Sequence, residues 1–438
     1  MVAALIEFYK KPLARIYASL LIIACIFQLI DARNLLDSIE YAHSIKYWFH
    51  LDTLKLDPQM GRWMYVTRRT PAYPFLLFIF GDNGVLLLQF LAGLFSPFFI
   101  FKSIQKLNIH VNFWWFWTIW LLSPLQFFYT ALPMPEILAQ YLLSIWVYTI
   151  VTRRGVLGGL VLLVMILLKP VFMVFLVPIS MGLFIRGGMF ILPLKSKKRT
   201  MNRIGQMFSI YAFILPLLGI LALVKLNHSR WGIPHISSVS TTNFYEYNRY
   251  QILKNVYGER FADSVYLTES KSINQLSDFS IEKGQILQEY NTQTVKTHFS
   301  VFVFLHIKGI VQMFFDPGRY DAMVFFKWRP TSGFLGIKSG HQTVTSRPLK
   351  EWLFIIGFLI VNIGRFFLLI YAFWLVFFKH KKLRIIGLFF GLNILVYVSA
   401  IGSVGTARYL LPLYPLFVFI IAFSMSLKLQ NESITTER

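Results

Sequence analysis

The chain has 438 residues, 56% hydrophobic and only 14% charged, with a single cysteine and a formal net charge of +23. That balance excludes a soluble domain and an intramolecular disulfide framework. With repeated apolar runs of about 17–25 residues, it predicts an all-α polytopic membrane protein. The positive charge does not point to nucleic acid, because much of it lies in short loops between apolar spans, where cationic residues set topology.

Lys10, Lys11 and Arg15 precede the first apolar run, Ile16 to Ile30, so the amino terminus is expected in the cytoplasm. The run lacks a small-residue cleavage site and reads as a retained anchor. Loop 32–83 then lies outside, with two short interfacial helices expected near 34–50 and 58–66, and spans follow near 84–101, 111–125 and 136–152. The stretch 155–185 has basic, cytoplasmic flanks on both sides, yet as helix it covers only about 46 Å, less than two crossings of about 30 Å. A short helical hairpin turning at Lys169-Pro170 is therefore expected. Further spans near 205–224, 352–378, 385–401 and 409–427 bring the total to about ten membrane-embedded helices with both termini inside. The organisation is thus a region 1–224, an extracytoplasmic region 225–350 and a closing region 351–438. The apolar stretch 298–315 is expected to lie on the outer interface, since one more crossing would put the basic turn 379–384 outside.

Two external loops therefore face one side of the membrane, where function is usually carried. Asp37 and Tyr41, four residues apart, share one helical face just after the first span. Arg68 and Arg69 close the same loop, so a base candidate and a cationic pair stand together. The plainer reading of these residues is a helix cap and two arginines reaching lipid phosphates. Arg408, at the outer start of the last span, and Lys169, at membrane depth, add cations that could hold an anion. Glu136 follows two prolines at a helix start, where the dipole already favours a carboxylate. Asp31, Asp52 and Asp57 are nearby alternatives to Asp37 as base. The nine histidines show no metal-ligand spacing, and no phosphate-cradling glycine loop is present.

Asp37 four residues before Tyr41, Arg69-Thr70-Pro71-Ala72-Tyr73-Pro74, Pro133-Met134-Pro135-Glu136, Lys169-Pro170 and Ala407-Arg408-Tyr409-Leu410-Leu411-Pro412 occur in an informative order. In that order the chain resembles the GT-C glycosyltransferases that take a sugar from a polyprenyl-phosphate carrier. That group includes protein O-mannosyltransferases and lipid A aminoarabinose transferases. The resemblance implies that Asp37 is the general base of an inverting transfer. It implies that Arg69 and Arg408, together with Lys169, hold the donor phosphate, and that Tyr41, Tyr73 and Glu136 line the substrate cavity. No acid is needed to protonate a phosphate leaving group, unlike the two-carboxylate glycosidases. Relatives often carry a second acid directly after the first; here Ser38 stands there, and Glu40 is not expected to take its place. The implied partners are a polyprenyl-phosphate-linked sugar, a lipid, glycan or protein acceptor and membrane lipids, without a cofactor and with no residue pattern favouring a divalent metal. A bacterial inner membrane with an extracytoplasmic active site is the expected setting. A transporter or flippase for an anionic lipid or solute would use the same cations, and an O-antigen ligase or polymerase-like transferase is the other alternative.

Overall fold

The structure is a computed structural model that describes residues 2–32, 35–49, 69–186, 199–231, 234–276, 281–316, 318–326, 349–379, 384–402 and 406–436. Among the described residues all regular structure is helical. The first half comprises α1 (Val2–Tyr9), α2 (Pro12–Ile30), α3 (Leu36–Phe49), α4 (Ala72–Gln105), α5 (Phe113–Leu121), α6 (Leu125–Ala131), α7 (Glu136–Val151), α8 (Gly155–Leu168), α9 (Leu176–Arg186) and α10 (Arg199–Trp231). The second comprises α11 (Val239–Asn243), α12 (Tyr250–Tyr257), α13 (Glu259–Gln275), α14 (Ile281–Thr297), α15 (Phe299–Phe315), α16 (Arg319–Phe325), α17 (Leu349–Trp374), α18 (Arg384–Ile401) and α19 (Tyr414–Thr436).

Among the described residues, six helical stretches are long and apolar enough to cross a membrane, or eight if each of two bent pairs is one span. Their surroundings sort them. The last span is buried over most of its length and forms the centre of the bundle, whereas less than a quarter of the span is buried in α2, α10 and α17. On α2 most exposed residues are apolar, Ile22, Ile23, Ile26 and Leu29 among them, as suits a lipid-facing surface. The interior is aromatic: Phe8 packs on Phe98, Phe101, Phe113 and Trp117, and Tyr414 meets Trp120. Without a hydrophobic drive between helices in lipid, such van der Waals packing is what holds a bundle together.

Several expected elements take a different form. The 34 residues of α4 would reach about 51 Å as one rod, too long for one crossing. Gly81, at φ 62° and ψ −179°, breaks the rod, so its second part corresponds to the span expected near 84–101 and its first part continues the loop. The tryptophan-rich span expected over 111–125 is a nine-residue helix, α5, roughly 14 Å long, which stops at the Leu122-Ser123-Pro124 break. A further helix, α6, then meets α7 at 114°. The break at Lys169-Pro170 is present: α8 ends at Leu168, Lys169 is extended, and a 3-10 turn over Pro170–Phe175 leads into α9. In the polar region, α12 is capped at Gly258, and α15 bends 98° from α14. The second interfacial helix expected near 58–66 falls outside the described residues, as do Arg68, Asp52 and Asp57.

Candidate functional site

Asp37 lies in the first turn of α3, where the helix N-terminus favours negative charge. Ser38 folds that turn locally: its backbone N–H donates to Leu35 O and its hydroxyl accepts from Leu35 N. Trp48, near the far end of α3, donates from its indole nitrogen to Arg69 O at 3.0 Å and so fixes the strand of chain entering α4. Consequently Arg69 returns to the face carrying Asp37, Glu40 and Tyr41. Its Nη2 lies 2.9 Å from Asp37 Oδ1, its Nε donates to Glu40 Oε2 at 2.8 Å, and its guanidinium covers the Tyr41 ring at 4.7 Å. Burial disfavours charge on Arg69, but Asp37, Tyr41 and Glu40 outweigh it and hold the guanidinium more firmly protonated than usual. Burial likewise pushes the Tyr41 phenol well up, so it stays a neutral hydroxyl.

Arg408 arrives from the other end of the chain and donates from Nη2 to Asp37 Oδ2 at 2.7 Å. One carboxylate therefore bridges two arginines, each partly exposed, while Arg69 is itself shared by two carboxylates. Arg408 sits in a short 3-10 turn, Ala407–Tyr409, which is pinned from outside. Ala407 N donates to Asp316 Oδ2 at 2.8 Å, Gly318 N donates to Asp316 Oδ1 at 3.0 Å, and Asn362 of α17 donates to Asp316 O. Gly318 is left-handed, at φ 66°, and a Cβ there would strike the Leu125 side chain. Asp321, on α16, is buried near Arg408. Burial raises its carboxyl to about 7, against the opposing influence of Arg408 and the Tyr129 hydroxyl.

Tyr41 and Tyr73 meet edge to face at 4.9 Å, and Tyr73 donates to Gln89 Oε1 at 2.8 Å. The Gln89 amide in turn donates to the carbonyls of Tyr129, Thr130 and Leu132, tying the site to the turn before α7. Glu136 opens α7 and is buried. Lys169, expected beside the arginines, instead donates to Glu136 Oε1 at 2.8 Å. The ring of Tyr409 lies between the two charge groups, with Arg408 at 5.0 Å from its centroid and Lys169 at 5.4 Å.

All seven expected site residues thus fall into two adjoining clusters, with Asp37, Arg69, Arg408, Tyr41 and Tyr73 in one and Glu136 with Lys169 in the other. Glu40, set aside from sequence, belongs to the first, and its signal was spacing: it is three residues from Asp37 on the same helix. Asp316 had a signal as the start of a turn, whereas Asp321 and Tyr409 had none beyond residue type. Among the described residues no group of three or more His, Cys, Asp or Glu converges as a metal site. A cavity of about 630 Å³ lies elsewhere, at the ends of α2 and α4 away from Asp37, lined by Lys11, Gln105, Asn108, His110 and Trp114 among others. Family models, curated proteins and solved structures were compared with the chain, and none matches.

Proposed function

We propose that the protein is a membrane glycosyltransferase of GT-C type, transferring a sugar from a polyprenyl-phosphate carrier to a hydroxyl of a lipid, glycan or protein. The observation that carries this reading is the Asp37 carboxylate bridging Arg69 and Arg408, residues from opposite ends of the chain. A base and two phosphate-binding cations are what transfer from a phosphate-linked donor requires, and guanidinium groups suit phosphate oxygens. The acceptor hydroxyl gives its proton to Asp37 while its oxygen bonds to the anomeric carbon from the face opposite the phosphate. The bond from that carbon to the phosphate oxygen breaks, and its electron pair leaves with the polyprenyl phosphate. Arg69 and Arg408 stabilise the charge that develops there. For this, partners must exchange: the donor phosphate takes over guanidinium groups that Asp37 holds at rest, and the carboxylate turns to the acceptor.

In this reading the short apolar helices α5, α8 and α9 are membrane-embedded beside the six long spans and α7, ten in all. The clusters then open on the extracytoplasmic side, in a bacterial inner membrane. The test is incubation of the purified protein with radiolabelled polyprenyl-phosphate sugars and membrane extract. Labelled product that disappears with Asp37→Asn is the expected result. Transfer at full rate by Asp37→Asn would refute the mechanism, and absence of product with every donor would favour a transporter.

A further inference from the structure

Behind Tyr409 the Glu136 cluster holds a set of polar groups that the ion pair with Lys169 does not use up. Glu136 Oε2, both amide atoms of Gln140 and the Tyr397 hydroxyl are buried and have no hydrogen-bond partner among the described residues. Glu136 and Gln140 stand four apart on α7 and so share one face. Tyr397 of α18 lies within electrostatic reach of both Glu136 and Tyr409, and its ring packs on Phe172, three residues beyond Lys169. Glu136 and Gln140 therefore present their unpaired groups along one face of α7, and Tyr397 of α18 adds a third near Glu136. Buried polar groups are nearly always paired, so several orphans in one place point to a group they receive. The set is mixed in kind: a carboxylate oxygen accepts, a phenol donates or accepts, and an amide does both. An ion would call for one sign of partner. Hydroxyl groups, each donor and acceptor at once, match the whole set.

We infer that Glu136, Gln140 and Tyr397 form the pocket that reads the hydroxyl groups of the donor's sugar ring, with Tyr409 at its mouth beside the phosphate-binding Arg408. The inference rests on the transferase reading for the identity of the donor. It follows from chain order as well: Arg408, on the phosphate, and Tyr409, on the boundary of the pocket, are adjacent, and the sugar is one bond from the phosphate. Lys169 then neutralises Glu136 rather than holding phosphate itself. Because the pocket is closed at rest, the Tyr409 ring has to move for a sugar to enter.

The test measures binding, not transfer. The protein in nanodiscs is titrated with short-chain polyprenyl phosphate, bare or carrying glucose, mannose, galactose or arabinose, and melting temperature and affinity are followed. At least one sugar-bearing lipid is expected to bind about tenfold tighter than the bare lipid. Tyr397→Phe, which removes one unpaired hydroxyl, and Gln140→Leu are each expected to erase that difference while leaving binding of the bare lipid unchanged. Equal binding of bare and sugar-bearing lipids by the wild type, or a sugar-dependent gain retained in both variants, would overturn the pocket and leave internal water as the partner of these groups. Neither outcome depends on Asp37, so loss of the pocket and loss of the transferase reading are separately visible.

Discussion

In the helical unit formed by α11 to α14, Arg249 lies against the rings of both Tyr245 and Tyr290, at 5.5 and 5.0 Å. Both its terminal nitrogens reach the Glu269 carboxylate, and its Nε donates to Thr294 Oγ1 at 3.1 Å. At the candidate site the same residue types are arranged otherwise: Asp37 divides its two oxygens between Arg69 and Arg408, and Arg69 divides itself between Asp37 and Glu40. A fork closed on one carboxylate has nothing left to offer and holds a small core together around Tyr245, Ile273 and Leu287. A shared carboxylate can be replaced on either arginine by another anion without leaving either charge bare. The difference separates a structural ion pair from a poised one.

The greatest effect is expected where the poised cluster is cut. Arg408→Ala should lower sugar transfer by about 10²–10³-fold, the range seen when one preorganised electrostatic donor is removed, while the purified protein keeps its melting temperature within a few degrees. Arg249→Ala should do the reverse. Stranding the half-buried Glu269 carboxylate should cost about 1–3 kcal/mol of stability, read by thermal or denaturant melting, with transfer per folded molecule unchanged. If the two variants behave alike, the clusters do not differ in kind. Gly318→Ala, which drives a methyl into Leu125 at a left-handed position, should destabilise by about 1–3 kcal/mol. It should also slow transfer, because the Asp316 elbow that pins Arg408 shifts; rapid transfer despite the lost stability would show that the elbow does not position Arg408. Asp321 sharpens the same boundary more gently. It holds its proton to about pH 7 in the folded chain against an ordinary 3.8, so across that window the native state binds the extra proton and stability falls as pH rises. Asp321→Asn is neutral throughout and should flatten the slope of melting temperature between pH 5 and pH 8 by a few degrees; an unchanged slope would assign it to other groups.

Much of this arrangement was legible in the sequence, for identifiable reasons. Apolar runs and proline breaks located α2, the second part of α4, α7, the break at Lys169, α17 and α18, because span length and helix interruption are local properties. Charge on named residues located Asp37, Arg69 and Arg408. What stayed hidden depended on packing. Lys169 looks like a free cation in sequence, and only the packing of α7 beside the 3-10 turn Pro170–Phe175 brings Glu136 to it. Glu40 is not adjacent to Asp37 in sequence, but the helix places a residue three positions on within reach of the same arginine. The shortness of α5 was hidden because its composition, FWWFWTIWL, is as apolar as any span, and only the following break limits it. Tyr397 and Gln140 carry no sequence signal, since an unpaired buried polar group is defined by what surrounds it.

The competition at Asp37 is open to one direct measurement, the affinity of Asp37→Asn for bare polyprenyl phosphate beside that of the wild type. Removing the carboxylate's charge frees Arg408 and leaves Arg69 held by Glu40 alone, so the variant should bind the phosphate about tenfold more tightly while transferring no sugar. Binding equal to or weaker than that of the wild type would contradict the claim that Asp37 and the donor phosphate share Arg69 and Arg408.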